Sequence, residues 1–296
     1  MEVYMTLRNI TLFLIILLTS IACQTVSDRP VQTQPVEAAT TRIAHENLNG
    51  LLWMQTSAEF DALCRLVYKA AAEAAQRSLA DTSWTASLEQ AQAGGFASLP
   101  PAVILDLDET VMDNTPYQAL MARLGKGFDS KKWDEWVAKG TAGTLPGAAE
   151  FLKGLSERSI AVYYVTNREY TREKEMVANL IALGLPVDPN GANILSRLEQ
   201  PGWTSDKSSR RAEVAKTHRI ILLIGDDLGD FVSGARDLPE KRIALARLHS
   251  DMWGSRWFIL PNPLYGSWES AVYGFDGKLK DNEILKKKFD ALKTSE

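Results

Sequence analysis

An α/β fold, a Rossmann-like parallel sheet with helices on both faces and a small helical cap region, is what this sequence predicts, on three observations. Short apolar runs alternate with stretches of helical period. The runs are apolar throughout, as in strands buried on both faces. Three of them stop abruptly at polar residues: AVIL at Asp106, AVYYV at Thr166 and IILLIG at Asp226. Composition agrees, since 296 residues with 45% hydrophobic and 24% charged side chains suit a globular chain with a large core. A net charge of −4 gives no basic field for a nucleic-acid polymer, and two cysteines exclude a disulfide scaffold.

The first element is a leader. Ile10 to Leu18 read ITLFLIILL, preceded by Arg8 and followed by Ser20-Ile21-Ala22-Cys23. The run is too short for a membrane helix of ~20 residues and has the length of a secretory apolar segment. The small residues before Cys23 resemble a bacterial lipobox, although Ser20 stands where Leu is usual. Residues 1–22 are therefore expected to be a signal peptide and Cys23 to be cleaved and lipidated, anchoring the chain to a membrane. Gln24 in place of Asp directs such a lipoprotein to the outer membrane of the bacterial envelope. Residues 23–44, with the polar QTVSDRPVQTQPVEAATTRIA, are expected to form the lipidated end and a flexible tether.

Residues 45–296 form the folded domain. Its helical cap segments are expected at about 45–80 and 112–145, and its α/β core at about 100–111 and 146–296. Residues 46–80 have helical period, and Thr56-Ser57-Ala58-Glu59 fits a capping box. Cys64 shares a helix face with Phe60 and Val67 and reads as a buried core thiol. The expected strands are Ala102–Leu105, Ile160–Val165, Ile220–Ile224, Ile243–Ala246 and Trp257–Leu260. The expected helices between them are Ala148–Glu157, Thr171–Leu183, Ser208–Lys216 and Leu228–Ala235. An insert with Trp133 and Trp136 interrupts the rhythm between Met112 and Leu145.

Ligands of open α/β sheets bind at the carboxyl ends of the strands, so Asp106, Thr166 and Asp226 should converge on one crevice. Asp108 lies two residues past Asp106 and can project the same way. Asp230 lies four past Asp226, within one turn. Carboxylates crowded like this repel, unless a hard divalent cation sits among them, with Mg²⁺ the natural candidate. Lys207, at the start of an expected helix, could reach the same crevice and bridge phosphate and carboxylate. Alone, each feature has a plainer reading as a turn, a cap or a solvated face. Together, and in this order, they describe a site. His45, His218 and His249 lie outside these motifs, which disfavours a histidine phosphatase or a zinc site.

Asp106-Leu107-Asp108-Glu109-Thr110, Thr166, Lys207 and Gly225-Asp226-(x)₃-Asp230 resemble the four motifs of the haloacid dehalogenase superfamily, and Asp108 resembles the mark of its phosphatase branch. More closely, DLDETVMDNTPYQ, FDSKKWDEWV, YYVTNR, SDKSSRR, GDDLGDF and LPNPLYGSWE resemble the bacterial class C acid phosphatases, the lipoprotein e family of 5′-nucleotidases. The resemblance implies a haloacid dehalogenase type fold and hydrolysis of small phosphomonoesters. It implies Asp106 as nucleophile and Asp108 as general acid and base. It implies one Mg²⁺ on the Asp106 carboxylate, the Asp108 backbone carbonyl and the Asp226 carboxylate. Thr166, Asn167 and Lys207 are implied as phosphate-binding residues, with Asp230 orienting Lys207 and a metal-bound water. Trp133 and Tyr265, expected in polar loops, match positions that clamp a base or aryl ring. Asp227 departs from the pattern, where a neutral residue such as Asn is expected, and should point away from the metal. Two other functions stand beside nucleotide hydrolysis: broad acid phosphatase activity on aryl and sugar phosphates, and a surface lipoprotein that binds haem or another aromatic ligand.

Overall fold

The computed structural model describes residues 45–295. The expected leader, Cys23 and tether lie outside these residues. Among the described residues no helix is long and apolar enough to cross a membrane.

The elements follow in chain order: α1 Leu48–Thr56, α2 Ala58–Leu79, α3 Leu88–Ala93, β1 Pro101–Leu105, β2 Met112–Asp113, α4 Thr115–Leu124, α5 Ser130–Lys139 and β3 Gly143–Thr144. Then come α6 Ala148–Glu157, β4 Ala161–Glu169, α7 Glu173–Ala182, β5 Ile194–Arg197, α8 Ser208–Ala215, β6 Arg219–Gly225, α9 Pro239–Leu248, β7 Trp257–Ile259, α10 Ser267–Val272 and α11 Asp281–Asp290. The main sheet runs β5-β4-β1-β6-β7 and is parallel throughout. The chain leaves β1 to one side through β4 and β5, then returns to the other side through β6 and β7. The order therefore reverses beside β1, where open sheets form their binding crevice.

Alternation along the strands splits the core in two. Val103 and Leu105 of β1 join the cluster with Phe60, Cys64 and Tyr68 of α2, Leu152 of α6 and Met176 of α7. Ala102 and Ile104 face the opposite way, toward Val214 of α8, Phe231 and Trp257. A register shift between Ala102 and Val103 places Ile220 and Leu222 opposite them, with Ile221 as the extra residue. Cys64 is fully buried, as its helix face suggested, and burial pushes its thiol up to about 12. A thiol held that far from ionising is inert packing.

Several expectations need correction. Residues 46–80 are helical as α1 and α2, but the N-cap between them is Ser57, one residue past the Thr56 of the expected capping box: extended at ψ 140°, it caps α2 by accepting from Phe60 N–H at 3.1 Å. Ile243–Ala246 is not a strand but the middle of α9. Pro239 opens that helix with a preset φ, and the Ala and Leu of the apolar run are good helix formers. The remaining strand of the sheet is instead β5, whose ILSR sequence is too short and polar to stand out. Leu228–Ala235 contains only a 3₁₀ turn, Leu228–Asp230. There the Asp230 carboxylate accepts from the N–H groups of Asp226 and Asp227 at 3.1 and 3.0 Å, and Gly234 takes a φ of +82°.

The insert after β1 folds as α4 and α5. Its two ends are joined by the antiparallel pair of β2 and β3, Met112 with Thr144 and Asp113 with Gly143. Asp129 caps α5 by accepting from Lys132 N–H at 3.0 Å, and Gly140 closes it in the left-handed conformation.

Candidate active site

The cleft above the carboxyl ends of β1, β4 and β6 has a volume of about 830 Å³. Its lining brings together Asp106, Asp108, Trp133, Asn167, Lys207, Asp226, Asp230 and Tyr265. Thr166 is fully buried within β4, which runs three residues past it to Glu169, and its hydroxyl accepts the backbone N–H of Arg168 at 3.1 Å.

Asp106 follows β1 directly, and its N–H bonds to Ile224 of β6 at 2.9 Å. Lys207, at the N-terminal boundary of α8, places its ammonium 2.5 Å from Asp106 Oδ1 and 2.6 Å from Asp230 Oδ1. Burial alone would lower the Lys207 pKa, but the charges of Asp106 and Asp230 outweigh it and raise it. For Asp106, burial outweighs the pull of Lys207 and pushes the carboxyl up to about 7, with Asp230 and Asp108 adding repulsion. Asp226 is raised well above the usual carboxylate range by burial and by Asp230 and Asp106, opposed by Asn262, which donates to Asp226 Oδ2 at 2.8 Å.

The acidic oxygens of Asp106, Asp226 and Asp230 lie within 4.8 Å of one another. This donor set is all oxygen and rich in negative charge, so it fits a hard divalent cation. Asp230 has both oxygens engaged already, one by Lys207 and one by the two backbone N–H groups. Gly225 is required here, because a Cβ would overlap the Asp230 carboxylate. Asp227 points away, as expected. Its carboxylate accepts Ser267 N–H at 2.7 Å at the start of α10 and Gly229 N–H at 2.9 Å.

The Asp108 carboxylate turns from this trio toward Arg168, whose NH2 nitrogen donates to Oδ1 at 2.7 Å. Asn167, also on the cleft, is held by its Oδ1 accepting from Arg210 at 2.7 Å and its amide donating to Ser205 O at 3.1 Å. Arg210 also donates to the Thr166 carbonyl, so one buried guanidinium fixes the whole strand end.

Trp133 lies in the first turn of α5, not in a loop, because Asp129 starts the helix just before it. The ring is half-buried and meets Tyr117 edge-on at 5.1 Å. Tyr265 does lie in a loop, half-buried, and its hydroxyl bonds to Glu109. Glu109 is fully buried in the left-handed region at φ 51°, and burial holds its carboxyl well above the usual range. Sequence reasoning missed Glu109, Asn114, Arg168, Arg210 and Asn262. Of these only Arg168 carried a signal, since in an extended strand it shares a side with Thr166.

A family model described as HAD superfamily, subfamily IIIB (Acid phosphatase), matches residues 12–268. The class C acid phosphatase from Bacillus anthracis is similar in structure, with a TM-score of 0.75 and 33% identity over 86% of this chain and 99% of its own. The stem 28 kDa glycoprotein of Glycine max is 26% identical over 172 residues, 55% of this chain and 58% of its own length. Acid phosphatase 1 of Solanum lycopersicum is 28% identical over 165 residues, 55% of this chain and 57% of its own. The chain thus spans a little over half the length of these plant relatives.

Proposed function

This chain belongs to the HAD superfamily, subfamily IIIB, of acid phosphatases, and from that premise we propose that it is a Mg²⁺-dependent phosphomonoesterase. Its substrates would be nucleoside 5′-monophosphates and aryl phosphates, hydrolysed through an aspartyl-phosphate. The observation that supports this most is Asp106. It directly follows the central strand, meets the Lys207 ammonium, and is one of three clustered carboxylates in a cleft with aromatic walls.

Asp106 attacks phosphorus in line, and the bond from phosphorus to the leaving oxygen breaks as the aspartyl bond forms. Asp108 gives the leaving oxygen its proton. It then takes a proton from the water that hydrolyses the aspartyl-phosphate, which releases inorganic phosphate and restores both carboxyls. Thr166, Asn167 and Lys207 hold the transferring oxygens. Asp230 orients Lys207. The Asp106 and Asp226 carboxylates and the Asp108 carbonyl would hold the metal, which when bound would supply charge neutralisation and alignment of the Asp106 carboxylate. Phosphate release from a nucleoside monophosphate and from 4-nitrophenyl phosphate tests the reading. Turnover of neither, with Mg²⁺ supplied, would remove it.

Trp133 and Tyr265 are proposed to stack the leaving group. Base stacking is worth ~1–3 kcal/mol and is tolerant of base identity. Trp133→Ala and Tyr265→Ala are each expected to lower kcat/KM for nucleoside monophosphates roughly 10-fold to 100-fold, and that for glycerol phosphate much less. Equal losses on both substrates would mean that the rings only hold the fold. Tyr265→Phe keeps the ring and removes its bond to Glu109, so it separates stacking from support.

Lipidation of Cys23 and residence in the outer membrane are supported by the short apolar run and the small residues before that cysteine. Mass measurement of the mature N-terminus should find an acylated Cys23, and Cys23→Ala should abolish partition into detergent. An unmodified Cys23 in the mature wild type would refute the anchor.

A further inference from the structure

Two buried polar side chains beside Asp108, Arg168 and Asn114, have no part in the proposed chemistry as stated so far. Arg168 is 6% exposed and Asn114 fully buried. Burying a guanidinium is costly unless its donors are satisfied, so the partners of Arg168 matter. Its Nε and NH2 nitrogens both donate to Asp108 Oδ1, at 2.9 and 2.7 Å, and Nε reaches Oδ2 at 3.2 Å. The Asn114 amide donates to the same Oδ1 at 2.8 Å. Asn114 is itself locked, since its Oδ1 accepts from Trp136 Nε1 at 2.8 Å and from Arg168 at 3.2 Å.

The two oxygens of Asp108 are therefore unequal. Oδ1 receives three N–H donors, more than its two lone pairs serve comfortably, and has no room for a proton. Oδ2 receives one long contact and keeps a free lone pair. We propose that Arg168 and Asn114 are positioning residues that hold Asp108 by Oδ1, so that Oδ2 is the atom that carries the proton to the leaving oxygen. The proposal rests on the reading of Asp108 as general acid. Arg168 cannot supply the proton itself, because a guanidinium does not deprotonate in proteins. Its guanidinium carbon also lies 5.3 Å from the centroid of the Trp133 ring. The side chain is thus held between the proposed stacking wall and the proposed acid.

A buried ion pair that served only the fold would, when broken, lower activity alike on all substrates. A positioning role makes the loss depend on the leaving group. An alkoxide must be protonated as it departs, whereas 4-nitrophenolate need not be. The experiment measures kcat/KM, which reports the phosphoryl transfer from ester to Asp106, for aryl and alkyl phosphates of graded leaving-group pKa. The variants are Arg168→Met, Arg168→Lys and Asp108→Asn, with Mg²⁺ present and melting temperatures recorded. The wild type should show a shallow dependence. Arg168→Met should lose roughly 100-fold on alkyl phosphates and under about 10-fold on 4-nitrophenyl phosphate, approaching the steep dependence of Asp108→Asn. Should Arg168→Met not fold, Arg168→Lys keeps a cation but not the two-nitrogen grip, and should steepen the dependence in the same direction. A wild-type slope in the Arg168 variants beside a steep one in Asp108→Asn overturns the proposal alone. A shallow slope in Asp108→Asn overturns the general-acid reading, and the proposal with it.

Discussion

Asp106→Asn is expected to reduce turnover of every phosphomonoester by about 10⁴-fold or more, because on the proposed mechanism it would remove the attacking oxygen that splits the reaction into two steps. The fold should survive. Asn is isosteric, and Lys207 keeps Asp230 as an ionic partner at 2.6 Å. Burial has raised the Asp106 pKa to about 7, above the unfolded value of ~3.9, so the folded state binds the proton more tightly. In metal-free protein this group's contribution to stability is therefore greatest below about pH 4 and falls as pH rises toward 7. The Asn variant lacks that loss. Stripped of metal, it should melt at or above the wild-type temperature at pH 7 and gain relative to wild type between pH 4 and 7. Full activity in the variant would exclude Asp106 as nucleophile. A collapse of the fold would contradict the burial argument.

Removal of divalent metal is expected to have the second largest effect. The oxygens of Asp106, Asp226 and Asp230 lie within 4.8 Å of one another and the Lys207 ammonium pairs with Asp106 and Asp230, so without metal the site relieves the repulsion among its carboxylates by holding protons. EDTA should silence the enzyme, and Mg²⁺ should restore it. Binding stabilises the fold by ~2.7 kcal/mol when metal is 100-fold above its dissociation constant. For a domain of this size that is a rise in melting temperature of roughly 5–10 °C. The sign with pH follows from the raised carboxyls. Asp106 and Asp226 hold protons that the metal must displace, so affinity should weaken as pH falls through 7. Melting curves with EDTA or Mg²⁺ at pH 8 and pH 5.5 measure this directly. Identical curves at both pH values, or undiminished activity in EDTA, would show that the acidic trio serves no metal.

What could be read from the sequence follows from how burial writes itself into a chain. A strand covered on both faces becomes a continuous apolar run, so β1, β4 and β6 were visible, and so were the polar stops at Asp106, Thr166 and Asp226. The same reasoning failed where the run was not a strand. Ile243–Ala246 is apolar but short, and Pro239 and two alanines make it helix. That Arg168 would pair with Asp108 was invisible for another reason. Arg168 and Asp108 are 60 positions apart, and nothing local says that one will hold the other. The turn at Asp230 was read as helix, because a carboxylate that bonds back to two backbone N–H groups leaves no periodic trace.

The pair of two-residue strands that joins the ends of the insert has a consequence for how such a protein can diversify. Trp133, Tyr117 and Phe128 all lie on one contiguous stretch of chain, and Asp106, Thr166, Lys207 and Asp226 lie on others. The stretch departs at Met112 and returns at Thr144, side by side. A hinge-like neck of that kind lets a whole segment be exchanged at two nearby cut points while the sheet and its acidic residues keep their register. Recombination, natural or in the laboratory, could then refit the enzyme to a new alcohol without redesigning how it breaks the phosphate bond. The exceptions are Tyr265 and Phe275, aromatic residues of the cleft that such a transplant would leave behind.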